Sequence, residues 1–356
     1  MTYTSLRPRA NTSAWKSRAV ALSSTVLIVV AACSDGGSPG TAPETRGGQK
    51  LGQGSNGGAR VRPPIALLYL EGTALVTEDL RGRSREFTDL STVEVFPSAT
   101  GTQIAYLTGS PSTVNLFTPA TDSRVEIGPG VAPVWSPDGR RLAWVRPTEP
   151  CEGETCVPKG EVVVQEVGSG PERVVLEAGN WRILGWAGDF LHVVDTNEPE
   201  NVLAVDWRAD EEPTDLGIPL AEYWGASPNG KWLLISRGEA AEFRRLTGTN
   251  RRVRTVEGRL AEGAWAPDSS AVAAVLLGKE SLVALLSPDN PELEYLPGSE
   301  EAAGNVVWSA DSSTVAFARA DPDDRAKLQA VYCEIEALRC RPLFSWRQGV
   351  RLLGFR

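Results

Sequence analysis

Few residues in this sequence have the type and spacing for chemistry, and each has a competing structural use. The chain holds one histidine, His192, inside the alternating run Phe190-Leu191-His192-Val193-Val194. Such alternation is the pattern of a β-strand, so His192 reads as a strand residue rather than a general base. Residues 63–356 contain no Gly-x-Ser-x-Gly elbow, and the residues outside the repeats described below leave no second domain to carry a hydrolase. A glycosidase would need two carboxylates about 5 to 9.5 Å apart. Glu222, Glu262 and Glu301 precede strands at comparable places, so they could gather at one acidic mouth. Asp321, Asp323 and Asp324 are close together but lack the spacing of a calcium loop. Asp138, Asn229, Asp268 and Asp311 recur at one position of a repeated turn, where a side-chain acceptor satisfies backbone amides.

Four of the five cysteines fall into two close pairs, Cys151 with Cys156 and Cys333 with Cys340. Neither pair has a Cys-x-x-Cys spacing and one histidine is available to help, so disulfides are expected and a metal is not. No cofactor is implied. The fifth, Cys33, closes a different pattern. Residues 1–32 contain no acid, and Arg7, Arg9, Lys16 and Arg18 precede an apolar run from Ala19 to Val30. That run is too short to span a hydrocarbon core of about 30 Å, and it reads as the core of an export signal. Its end, Val30-Ala31-Ala32-Cys33, resembles the lipobox of bacterial lipoproteins. The resemblance implies cleavage before Cys33 and lipidation there, hence attachment to the cell envelope through lipid alone.

Residues 33–62 are rich in Gly, Ser and Pro, with almost nothing apolar to bury, and read as a flexible tether. A coil of that length has a root-mean-square span of about 30 Å. The third segment, 63–356, has the composition of an ordinary folded domain. Losing four basic residues with the signal takes the formal charge from −9 to −13. That balance, with no basic patch interleaved with aromatics, argues against a nucleic-acid partner.

The elements that must position any site follow from one stretch, Val134-Trp135-Ser136-Pro137-Asp138-Gly139-Arg140-Arg141-Leu142-Ala143-Trp144. A strand runs into a tight turn and a second, alternating strand leaves it. Imperfect copies surround Phe96, Trp186, Ala226, Trp265 and Trp308, at steps of 39, 51, 40, 39 and 43 residues when Trp135 is included. The long step holds the insertion with Cys151 and Cys156. A period near 40 made only of strands predicts an all-β propeller of four-stranded blades. The ends complete each other. Ile65 to Thr77 look like second and third strands without a first, and Gly349 to Phe355 like a first strand without a blade. Pairing them closes seven blades, which fits better than six or eight and leaves no open sheet edge at the seam. Second strands are expected near Ile65, Ile104, Leu142, Leu191, Leu233, Val272 and Val315. Ser269 and Ser312 stand where Gly139 and Gly230 stand in other copies, which predicts another turn type or local strain there.

These Trp-Ser-Pro-Asp-Gly turns followed by apolar strands resemble the WD-repeat-like (PD40) propeller units of the TolB type, over residues 65 to 356. The resemblance implies a fold and leaves function open, because such units serve scaffolds, transport accessories and peptidase domains alike. In propellers function usually sits where loops enter the first strands and join second strands to third. On that face the candidates are Trp181, Arg182, Glu222, Tyr223, Trp224, Asn305, Trp346 and Arg347, since Trp, Tyr and Arg are enriched at interface hot spots. The expectation is a lipid-anchored binding or scaffold module for envelope proteins. The alternative is an envelope enzyme, or a binder of carbohydrate or a small ligand, using carboxylates at the channel mouth.

Overall fold

A computed structural model of the chain describes residues 66–355 apart from 88–93, 150–158, 169, 247–252, 279 and 291. Cys33, Cys151 and Cys156, and both segments before residue 63, lie outside the described residues. The fold is all β, with seven antiparallel blades. Blade I holds β1 (Ala66–Glu71), β2 (Ala74–Asp79) and β3 (Ser84–Glu86). Blades II to VI are β4–β7 (95–129), β8–β11 (131–179), β12–β15 (181–215), β16–β19 (223–257) and β20–β23 (259–295). Blade VII is β24–β27 (302–342), with a short β28 (Arg347–Gln348) added beside its third strand, β26 (Lys327–Glu334).

The final strand, β29 (Val350–Phe355), supplies the first strand of blade I. It runs antiparallel to β1, from Leu67 opposite Phe355 to Glu71 opposite Val350. First and last parts of the chain thus share one sheet. The second strands start at or within one residue of the positions read from the repeats. Cys333 and Cys340 face each other across β26 and β27 and form a disulfide.

The repeated turn is held by its own side chains. Ser136 Oγ donates to Asp138 Oδ1 (2.5 Å) and accepts from Arg141 N (2.9 Å), while Asp138 Oδ1 accepts from Arg140 N (3.0 Å). Ser227 with Asn229, and Ser309 with Asp311, repeat this arrangement. Ser269 and Ser312 keep the conformation of the glycines they replace, with φ of 67° and 58° beside 66° at Gly139. The turn type is therefore unchanged, and the left-handed backbone is tolerated in a side chain that binds the neighbouring turn. Ser269 Oγ accepts from Asn229 N at 3.0 Å, and Ser312 Oγ from Asp268 N at 3.1 Å.

Both faces of each blade are buried against neighbours. Trp135, Trp186 and Trp308 donate their indole N–H groups to carbonyls of Phe96, Val134 and Ala264 in the preceding blades, at 2.8, 3.2 and 2.9 Å. The first strands β4, β8, β12, β16, β20, β24 and β29 approach their neighbours around the axis. Any channel is lined by those strands.

Candidate functional site

A β-bulge re-aims side chains by letting two residues on one strand oppose one on its partner. Six of the seven first strands carry a register irregularity against their second strands, that of blade II being the exception. In β24 (Ala302–Trp308) the backbone passes through Gly304 at φ 102° and Asn305 at φ 55°. The freed amide of Asn305 donates to Glu262 Oε1 of β20 (Arg259–Trp265) at 2.7 Å, and Val306 N also serves this carboxylate. Asn305 Oδ1 then accepts from Leu352 N of β29 at 3.0 Å. Glu262, Asn305 and the last strand thus form a polar rung across blades VI, VII and I. Burial raises the Glu262 carboxyl above its ordinary range, and the two amides oppose that rise. Beyond the seam, burial lowers the Arg351 guanidinium, opposed by attraction to Glu94 of blade II.

An added Cβ at Gly304 would push the Glu262 carboxylate out of the rung, on a backbone at φ 102° that disfavours a side chain. Gly304→Ala is expected to cost about 2 to 4 kcal/mol, from the backbone conformation and the broken rung together. Urea unfolding measures it. Adding Glu262→Ala to that variant should cost clearly less than Glu262→Ala alone, since the clash and the rung share the same atoms. Simple additivity would refute the shared origin.

Arg347, read from sequence as a surface contact, is spent inside the protein. Its Nη1 donates to Tyr69 Oη at 2.6 Å and lies 3.4 Å from Glu71, while Nη2 pairs with Glu78 at 3.2 Å. Tyr69 Oη in turn donates to Glu78 Oε2 at 2.8 Å. Glu78 and Tyr69 are buried, and the guanidinium lies over the Phe344 ring, 4.3 Å from its centroid. The network ties β28 to blade I where the ring closes.

His192 of β13 (Phe190–Asp195) is buried and shares a 2.9 Å hydrogen bond between Nδ1 and Tyr223 Oη of blade V. Burial pushes its pKa from 6.5 down to about 4, so the imidazole is neutral at ordinary pH. Below pH 6.5 the unfolded chain takes up a proton that the folded protein refuses until about pH 4. Stability is therefore lost as pH falls through that window, by about 3 kcal/mol at most. His192→Gln should flatten the pH dependence of unfolding there by nearly one proton, and an unchanged slope would exclude His192 as its source.

The remaining candidates scatter. Trp224 is 9% exposed and packs with Leu234 and Trp265 between blades V and VI. Tyr223, next in sequence, faces blade IV. Glu222 pairs with Arg237 at 2.6 Å, Glu301 lies 3.5 Å from Arg325, and Trp346 stacks beneath Arg319. Trp181 donates its indole N–H to Glu177 O at 2.7 Å and packs between blades III and IV. Among the described residues these side chains therefore do not form the expected exposed patch of aromatics and arginines. Glu222, Glu262 and Glu301 are each engaged by a different partner, Arg237, the Asn305 amide and Arg325. Among the described residues no three of His, Cys, Asp and Glu are placed to hold a metal ion. What the first strands expose near their starts is Ala132, Arg182, Arg259, Ala261 and Ala303, and neither arginine has an ion pair among the described residues. Their position was legible from the strand pattern, but alanine carries no signal by residue type.

No protein-family model and no curated protein sequence matches this chain. Solved structures do. Prolyl oligopeptidase B from Galerina marginata is 13% identical with a TM-score of 0.56, over 80% of this chain and 51% of its own. The acylaminoacyl peptidase of Pyrococcus horikoshii is 15% identical with a TM-score of 0.53, over 79% and 53%. TolB from Acinetobacter baumannii is 14% identical with a TM-score of 0.49, over 82% and 66%. This chain spans about half the length of the two peptidases. At such identities the likeness is one of fold, a seven-bladed β-propeller.

Proposed function

We propose that the protein is an exported, lipid-anchored propeller that binds an envelope protein at the entry end of its channel and catalyses no reaction. The observation that carries this reading is how its titratable groups are used. His192 is bonded to Tyr223, Glu262 to the β24 bulge, Glu222 to Arg237, and the turn residues Asp138 and Asp311 to their own backbone. Groups held this way brace blades and are not free to shuttle protons. The entry end instead exposes small side chains at Ala132, Ala261 and Ala303 and the unpaired cations Arg182 and Arg259, a surface that suits a partner with acidic groups among its contacts. Cys33 and the tether before the propeller supply the anchor and the reach in this reading. Site-specific photocrosslinking from the three alanines tests it.

A further inference from the structure

Blades III and IV do not match at their outer edges. The outer strand of blade III, β11 (Arg173–Gly179), has seven residues, whereas that of blade IV, β15 (Thr214–Asp215), has two. The mismatch leaves a groove of about 690 Å³ between β11 and the segment 209–213. Five consecutive residues of β11, 174–178, line it. Successive side chains of a regular strand point to opposite faces, but here the register slips at Val175, since Val174 and Leu176 oppose the adjacent Val163 and Val162; the wall is therefore made of the strand's edge together with the bulged side chains. β11 ends its sheet, with no strand beyond it.

The floor is apolar, with Val175, Leu176, Leu203 and the Trp181 ring. The rim is acidic. Glu177, Glu211 and Glu212 are exposed and have no ion pair among the described residues. Arg173 pairs with Asp210 at 2.6 Å and bonds Arg208 O at 2.7 Å, which fixes the two walls relative to each other.

We infer that this groove docks an extended, cationic segment of a partner polypeptide. Short of Glu177 O, which already accepts from Trp181, the outer strand edge supplies backbone hydrogen bonds to an extended chain. Alternation in the ligand then puts apolar side chains on the floor and lysine or arginine against the three glutamates. This deepens the binding-module reading by giving a partner's chemistry, at a surface apart from the channel.

The test uses calorimetric titration of the full chain in detergent with three capped hexapeptides, alternating Lys-Val, Glu-Val and Lys-Ser. The Lys-Val peptide is expected to bind saturably below about 1 mM, and the other two at least tenfold more weakly. A Glu177→Lys, Glu211→Lys, Glu212→Lys variant should lose at least tenfold in affinity for Lys-Val. A control variant, Glu126→Lys, Glu292→Lys, Glu294→Lys, alters charge elsewhere and should lose little. No binding, equal binding of Lys-Ser, or equal loss in both variants would overturn the inference. The channel reading is decided separately, by crosslinks from the entry end, and survives each of those results.

Discussion

Deleting residues 349–356 is expected to abolish cooperative folding of the propeller. Val350, Leu352, Leu353 and Phe355 of β29 are all buried, in the seams that blade I makes with blades VII and II. Each is worth about 1.5 to 3 kcal/mol, so the strand contributes roughly 6 to 12 kcal/mol of burial. The whole net stability of a domain is about 5 to 15 kcal/mol. The deletion also opens the edge of β1, which has no other partner on that side. Near-ultraviolet circular dichroism and urea unfolding read the outcome. A milder variant, Leu353→Ala, keeps the backbone pairing and should cost about 2 to 5 kcal/mol. A sharp, unchanged transition in the deletion would contradict closure through this strand.

Arg347→Ala is expected to cost about 3 to 5 kcal/mol, because it leaves Glu78 charged, buried and without its cation. Tyr69 Oη would remain as its donor, but a hydroxyl does not neutralise a carboxylate. Glu78→Gln placed on top of Arg347→Ala should recover a large part of the loss, since it removes the stranded charge. The measurement is a double-mutant cycle in urea. A loss under about 1 kcal/mol, the size of an exposed ion pair, would mean that the network is solvated.

The architecture was readable because its determinants are local. The Ser136-Pro137-Asp138-Gly139 turn makes its bonds within five residues, and copies of it space the second strands. Even the seam could be inferred, from a strand lacking a blade and a blade lacking a strand. The site was far less legible. Tyr223 and Trp224 stand where a loop enters a strand, a position that points to the surface. In a propeller both faces of that strand are covered, so one of them faces blade IV and the other blade VI. The Arg347, Tyr69 and Glu78 network joins residues separated by 278 positions, a contact that no repeat or spacing announces. Nor does turn chemistry tell how long an outer strand will be, and the groove beside blade IV depends on β15 stopping after two residues.

Photocrosslinking from Ala132, Ala261 and Ala303, in cells producing the full chain, tests the central claim most directly. All three are exposed on first strands near the channel's entry end, and small enough to replace with a photoreactive residue. The account predicts the same one or two discrete protein adducts from all three positions, and their loss when Arg182→Glu is added. Absence of adducts, or the same adducts from a control at Glu126 on the outer strand of blade II, would contradict a binding surface at this end of the ring.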